Sequence, residues 1–291
     1  MSKLQLVATS GVRLEIKPYT PSIGAVVAGS SLAEAVNDSA LHAELRAALA
    51  RYQVLFFRDQ TLTVEQQVGV ARIFGDPDKA KSFFPRLAGH SLVEVIESKP
   101  GISSYSTDPW HTDITFSANP PTGTVLYARE IPHYGGDTVW ASAPAVYDAL
   151  PEKVRDHLAD LEAVHSFEHS GWPNFFASQP NGEALYRKAR ADHLPVVHPV
   201  IRTHPVTGRK LVYVNPNFTD RVKGLSRIES DALLNLLFGY FQRPEFHARL
   251  RWERNTVAIW DNRSTQHFAV ADYGAEPRLM HRVTFGEDRP F

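Results

Sequence analysis

A chain of 291 residues that is 43% hydrophobic, 11% aromatic and 22% charged can bury a core of its own, which sets aside the disordered and membrane-embedded classes. Lys plus Arg number 31 against 32 Asp plus Glu, a formal charge of -1, so no electrostatic footprint for nucleic acid or an anionic membrane is present. With no cysteine, disulfides and thiolate metal sites are excluded, and any metal must sit on nitrogen and oxygen ligands.

The opening "MSKLQLVATSGVRLEI" has neither a long apolar segment nor a small-residue cleavage site, and no later stretch reaches bilayer-spanning length. A cytoplasmic protein is expected. Within the opening, "VRLEIKPY" alternates as a strand does, and "ALHAELRAALARY" follows with the apolar spacing of an amphipathic helix. "QVLFFR" is a short apolar run of the kind found in buried strands. "LTVEQQVGVARIFG" predicts a second helix, with Thr63 and Gln66 placed as a capping box and Gly75 as its stop.

From Ser91 onward strand patterns dominate: "SLVEVIES", "TGTVLYARE", "DTVWAS", "HPVIRTH", "KLVYVN", "NTVAIWDN" and "RLMHRVTFG". "THPVTGRKLVY" predicts a hairpin turning at Pro205 to Gly208. Two helices interrupt the series: "APAVYDALPEKVRDHLADLEAV", and "SRIESDALLNLLFGYF" with a Ser226 to Glu229 capping box. Between them "EHSGWPNFFASQPNGE", Glu168 to Glu183, reads as a loop, either a lid or a surface excursion. Short strands with flanking helices predict a mainly β sandwich or barrel with helical buttresses, and no repeat or linker divides the chain.

The chemistry begins at "WHTDITF", Trp110 to Phe116. Iron(II) oxygenases hold their metal on two histidines and one carboxylate, leaving the opposite face open for a co-substrate and dioxygen. Residues two apart on a strand point the same way, so His111 and Asp113 can supply two such ligands from one strand edge, with the third coming from a distant strand. Most other histidines invite surface readings: His42, His157 and His247 in polar helix positions, His90 and His193 in loops, His133 and His204 beside turn prolines. His267 differs. It follows "AIWDNRSTQ", an apolar strand ending in a polar loop, and Arg278 and Arg282 come after it in the last strand. Four residues apart on a strand, the two arginines should share a face, with His281 turned to the other side as a structural residue.

The blocks "WHTDITFSANPPTGTVLYAREIPHYGGDTVWAS", "HPVIRTHPVTGRKLVYVNPNFTDRV" and "VAIWDNRSTQHFAVADYGAEPRLMHRVTF", in this order, resemble the taurine dioxygenase (TauD/TfdA) family of Fe(II)/2-oxoglutarate-dependent dioxygenases. The resemblance runs from about Leu14 to the C-terminus and includes "RYQVLFFRDQTLTVEQQ". It implies a double-stranded β-helix, or jelly-roll, as a single dioxygenase domain over residues 1–291, with α/β elements in 1–90 packed on a jelly-roll core in 91–291. It implies Fe(II) on His111, Asp113 and His267, and 2-oxoglutarate with its far carboxylate on Arg278 and Thr138. A guanidinium grips a carboxylate with two charge-assisted bonds, and a hydroxyl adds a donor.

The same resemblance gives Arg282 the anionic group of the primary substrate, and Thr107, Ile114 and Phe218 are candidates to bind the substrate beside it. The reaction it implies is hydroxylation of a small organic anion such as an alkyl sulfonate or alkyl sulfate, consuming O2 and releasing the anion, succinate and CO2. The alternatives are an aryloxyalkanoate or other carboxylate dioxygenase, and a non-catalytic β-helix protein that binds a metal or anion. The family also implies a homo-oligomer, dimer or tetramer. Two family positions differ here. A histidine five residues after the "FG" of the second helix is Ala80, between Lys79 and Lys81, and an asparagine four before the first iron ligand is Thr107. A larger or more apolar anion than taurine is expected, with Phe83, Phe84 and Phe218 as candidate pocket walls.

Overall fold

The computed structural model describes residues 14–77, 83–98 and 109–291. The first part carries β1 (Glu15–Pro18), β2 (Ala25–Ala28), α1 (Leu32–Ala35), α2 (Ser39–Tyr52), β3 (Val54–Phe57), α3 (Val64–Phe74), β4 (Arg86–Leu87) and β5 (His90–Ser98). Then come β6 (Pro121–Glu130), β7 (Thr138–Ser142), α4 (Ala143–Ala149), α5 (Glu152–Leu158), β8 (Glu162–His165), α6 (Trp172–Ala177) and α7 (Gly182–Asp192). The rest is β9 (Val196–Pro199), β10 (Ile201–Thr203), β11 (Lys210–Val212), β12 (Thr219–Val222), α8 (Arg227–Phe241), β13 (His247–Leu250), β14 (Val257–Asp261), β15 (Thr265–Ala269) and β16 (Arg278–Glu287).

An eight-stranded sheet runs β1-β2-β3-β14-β6-β16-β5-β4, so N-terminal strands and the last strand share one surface. Its strands alternate cleanly. Leu55, Phe57, Val125, Tyr127, Val283 and Phe285 face a core built with α1, α2 and α3, while Val54, Phe56, Leu126, Ala128, Trp260 and Met280 face inward. Across that inner layer lies the three-stranded sheet β13-β7-β15, which contributes Trp140 and Ala248. A second three-stranded sheet, β12-β8-β9, stands behind the cavity described below. This is the jelly-roll expected: two facing sheets whose period-2 patterns put one side chain in two between them.

Both capping boxes form as expected, at Thr63 with Gln66 and at Ser226 with Glu229, and the hairpin pairs Ile201 with Val212. Other expectations need correction. The predicted helix over "APAVYDALPEKVRDHLADLEAV" is two helices followed by a strand, because Pro151 lacks an N–H and forces Leu150 into an extended conformation (ψ 139°). The predicted loop from Glu168 to Glu183 is largely helical: α6 begins with Pro173 in its first turn and buries Trp172 and Phe176, four residues apart. His267 lies on a strand, β15, as the expectation of a third ligand from a distant strand had it. His247 begins β13 instead of sitting on a helix, and His90 begins β5.

Candidate active site

His111 and Asp113 are not on one strand edge. His111 makes an isolated antiparallel bridge to His267, each N–H bonding the other's carbonyl at 3.0 and 2.7 Å. The chain then turns through 113–116, with Ile114 at φ 57°, a left-handed conformation that a β-branched residue rarely adopts. The turn, and not strand periodicity, carries Asp113 back beside the two imidazoles. Nε2 of His111 and Nε2 of His267 lie 3.9 and 3.8 Å from Asp113 Oδ1, and one ligand atom from each residue falls within 4.8 Å of the others.

The surroundings prepare these groups as lone-pair donors. Nδ1 of His111 donates to the Pro109 carbonyl at 2.9 Å, which leaves Nε2 facing Asp113. Burial, helped by the neighbouring His111, lowers the His267 pKa to about 3, so its ring is neutral. Burial by itself would push the Asp113 carboxyl upward. The Arg282 guanidinium, His267, His111 and the Thr124 hydroxyl together outweigh that and hold it at about 2. Thr124 donates to Asp113 Oδ2 at 2.9 Å and in turn accepts from Asn262, whose carbonyl oxygen takes the Trp260 indole N–H at 2.7 Å.

A cavity opens over this cluster. Arg278 and Arg282 both line it, and His281 does not, as the strand argument expected. The two arginines have different settings. Arg278 is 8% exposed, and among the described residues its guanidinium forms no hydrogen bond or ion pair; burial lowers its pKa. Thr138 is at the same wall, and its oxygen accepts the Trp252 indole N–H at 2.9 Å, so its own proton is left to point elsewhere. Arg282 donates through Nε to Glu94, which is fully buried, and through Nη1 to Asp113 Oδ1 at 3.2 Å, while Phe84 lies against its guanidinium at 4.8 Å. Arg282 is thus bound into the framework of the site as well as facing the cavity.

Ile114, Phe84 and Phe218 line the cavity together with Phe116 and Trp172 from the α6 segment. Phe83 does not. It packs against Phe116, Phe167, Trp172 and Phe176 behind the wall. Thr107, Lys79, Ala80 and Lys81 lie outside the described residues. Sequence reasoning missed Glu94 and a buried polar group formed by Thr115, His165, His198 and Asn215. Glu94 had a signal, an acid set between Val93 and Val95 in the strand pattern "SLVEVIES"; His198 had one too, as the polar residue before the apolar "PVI" of "HPVIRTH".

Residues 15–284 match the family described as taurine catabolism dioxygenase TauD, TfdA family. An alpha-ketoglutarate-dependent sulfate ester dioxygenase of Pseudomonas putida is 35% identical over 97% of this chain and 93% of its own length. An alkylsulfatase of Acinetobacter baylyi is 35% identical over 94% of this chain and 84% of its own. A crystal structure described as a putative alpha-ketoglutarate-dependent taurine dioxygenase from Burkholderia xenovorans superposes with a TM-score of 0.82 at 34% identity, covering 96% of this chain and 94% of that one. With a family match over nearly the whole described chain, and relatives this similar at full length, the chain belongs to the taurine catabolism dioxygenase TauD, TfdA family.

Proposed function

We propose that this single-domain chain is an Fe(II)- and 2-oxoglutarate-dependent dioxygenase that hydroxylates a small alkyl sulfate or alkyl sulfonate. The observation that carries the reading is one cavity in which two imidazoles and an ionised carboxylate converge beside a buried arginine that pairs with no acid among the described residues and whose Nε has no hydrogen-bond partner. The donor set fits the metal: borderline nitrogen from two histidines and one hard, charge-balancing oxygen, presented from one side. His111, Asp113 and His267 would hold Fe(II), which when bound supplies the dioxygen activation that couples 2-oxoglutarate decarboxylation to hydroxylation.

The protein's own part is binding, orientation and exclusion of water. Arg278 and Thr138 would take the far carboxylate of 2-oxoglutarate. The Trp252 N–H fixes the Thr138 oxygen, so the hydroxyl proton is available to that carboxylate. A carboxylate there would also satisfy the Arg278 charge, which is otherwise expensive to bury. Arg282 would attract the sulfate or sulfonate head, its orientation set by Glu94, Asp113 and the Phe84 ring. Ile114, Phe218 and Trp172 would receive the alkyl chain and keep water away, with Thr107 assigned to the same pocket from the family pattern. Hydroxylation of the carbon bearing the sulfate oxygen or sulfonate sulfur gives an adduct that breaks its C–O or C–S bond. An aldehyde and free sulfate or sulfite result, one oxygen of O2 ending on that carbon and the other in succinate.

The aromatic walls Phe84, Phe116, Trp172 and Phe218 favour one second reading, an aryloxyalkanoate as substrate. Anaerobic addition of Fe(II) and 2-oxoglutarate is expected to produce a weak visible charge-transfer band, and aerobic assays with a panel of anions should form succinate most strongly with alkyl sulfates or sulfonates. No band, together with no succinate above the uncoupled rate for any anion, would sink the proposal. Turnover of aryloxyalkanoates alone would replace it by the second reading.

A further inference from the structure

Ile114 poses a physical question: what holds a β-branched residue at φ 57° beside Asp113? The answer lies in the next residue. Thr115 is fully buried, and its hydroxyl oxygen accepts from Asn215 Nδ2 at 3.1 Å. Its hydroxyl also hydrogen-bonds His165 Nδ1 at 3.0 Å. His165 Nε2 faces Thr219 Oγ1 at 3.5 Å. His198 Nε2 lies 2.9 Å from the Thr115 carbonyl and 3.1 Å from that of Ser117, and since both are acceptors, this nitrogen bears the proton. Asn215 reaches the other way as well, its Oδ1 accepting the N–H of Asn217 at 3.2 Å and of Phe218 at 2.9 Å.

Every member is buried, His165 at 0%, His198 at 2% and Asn215 at 1% exposed, and they come from β8, β9 and the segment after β11, well separated from Thr115 in sequence. Buried polar groups satisfied on several sides fix a single arrangement, because any displacement leaves a donor or acceptor unpaired in a medium without water. We infer that His198 and Asn215 are positioning residues: acting through Thr115, they hold the strained Asp113–Phe116 turn so that the Asp113 carboxylate meets His111 and His267, and Asn215 ties that turn to the Phe218 wall. The inference rests on the reading of His111, Asp113 and His267 as the metal ligands.

Co(II) is the probe, titrated into the metal-free protein and followed by visible absorption and calorimetry, so that no turnover is needed. Wild type should bind one Co(II) per chain. His198→Leu and Asn215→Ala should lose roughly ten- to a hundredfold in Co(II) affinity, the range for residues that orient metal ligands, with a changed ligand-field spectrum. His198→Gln should recover most of the loss, because its amide nitrogen can donate where Nε2 does. Leu234→Ala, a core truncation in α8, should lower the melting temperature and leave Co(II) affinity unchanged. If Asn215→Ala fails to fold, Thr115→Val, nearly equal in volume and lacking the hydroxyl that Asn215 holds, replaces it; if His198→Leu fails to fold, His198→Met, which likewise cannot donate to the Thr115 carbonyl, replaces it. A wild type that binds no Co(II) overturns the ligand assignment itself. A wild type that binds, with variants that bind equally well or lose no more than Leu234→Ala, overturns the positioning role and leaves the ligand assignment standing.

Discussion

Arg278 and Arg282 share a strand and a cavity, yet one is paired to acids and the other is not. A buried charge without a partner destabilises the fold, and it is kept where a ligand supplies the counter-charge. Arg278→Leu should therefore raise the KM for 2-oxoglutarate by roughly ten- to a hundredfold, the equivalent of about 1.5–3 kcal/mol for charge-assisted hydrogen bonds. The same variant should melt no lower than wild type. Succinate assays and a thermal melt check both halves, and a large fall in melting temperature would show that Arg278 is structural. Arg282→Ala is a different experiment, because it strips the buried Glu94 of one cation while Arg86 stays paired with it at 2.6 Å. The charge types and spacing of the arginines were legible in "RLMHR". Their different partners were not, since Glu94 arrives from β5, nearly two hundred residues earlier.

At the scale of elements, the crossing of β6, β14 and β16 leaves no room at Gly123. A Cβ there would meet a Phe285 ring carbon at 2.2 Å and the Trp260 carbonyl at 2.7 Å, and the carbonyl belongs to a neighbouring strand of the same ladder. Gly123→Ala is expected to destabilise the protein by about 1–3 kcal/mol, the usual cost of overpacking. Urea denaturation measures it, and an unchanged midpoint would show that β16 shifts freely. Long elements with one clear period, such as α2, α3, α8, β6 and β16, could be read from sequence because local pattern and burial agree. The short strands β8, β12, β13 and β15 could not. Each has four or five residues, too few for a period, and exists because a partner strand supplies its hydrogen bonds.

At the scale of the molecule, buried histidines couple the fold to pH. Burial lowers His198 from the usual 6.5 to about 4, against a rise from its two carbonyl partners, and burial together with the neighbouring His198 lowers His165 well below its usual value. The unfolded chain binds a proton at His198 between about pH 6.5 and 4 while the folded chain does not, so that contribution to stability is complete above pH 6.5 and falls as the pH drops through that window. His198 alone should remove roughly 3 kcal/mol by pH 4. Urea denaturation at pH 7 and pH 5 should show the loss, reduced in His198→Gln; a pH-independent midpoint would contradict it.

The sequence by itself carried the reaction class, because three blocks in order resemble a known family and the residue types they hold, two histidines, an acid and an arginine, suit a metal on nitrogen and oxygen ligands beside a carboxylate. His111, Asp113, His267, Thr138 and Arg278 were all named from it, and all five line one cavity. Only the tertiary structure decided how Asp113 reaches the histidines, through a left-handed turn clamped from a distant sheet, and that Phe84 belongs to the wall while Phe83 lies behind it. Those facts depend on contacts between residues more than a hundred positions apart, such as His111 with His267 and Asp113 with Arg282, and such contacts are set by how the layers close, which no local pattern encodes.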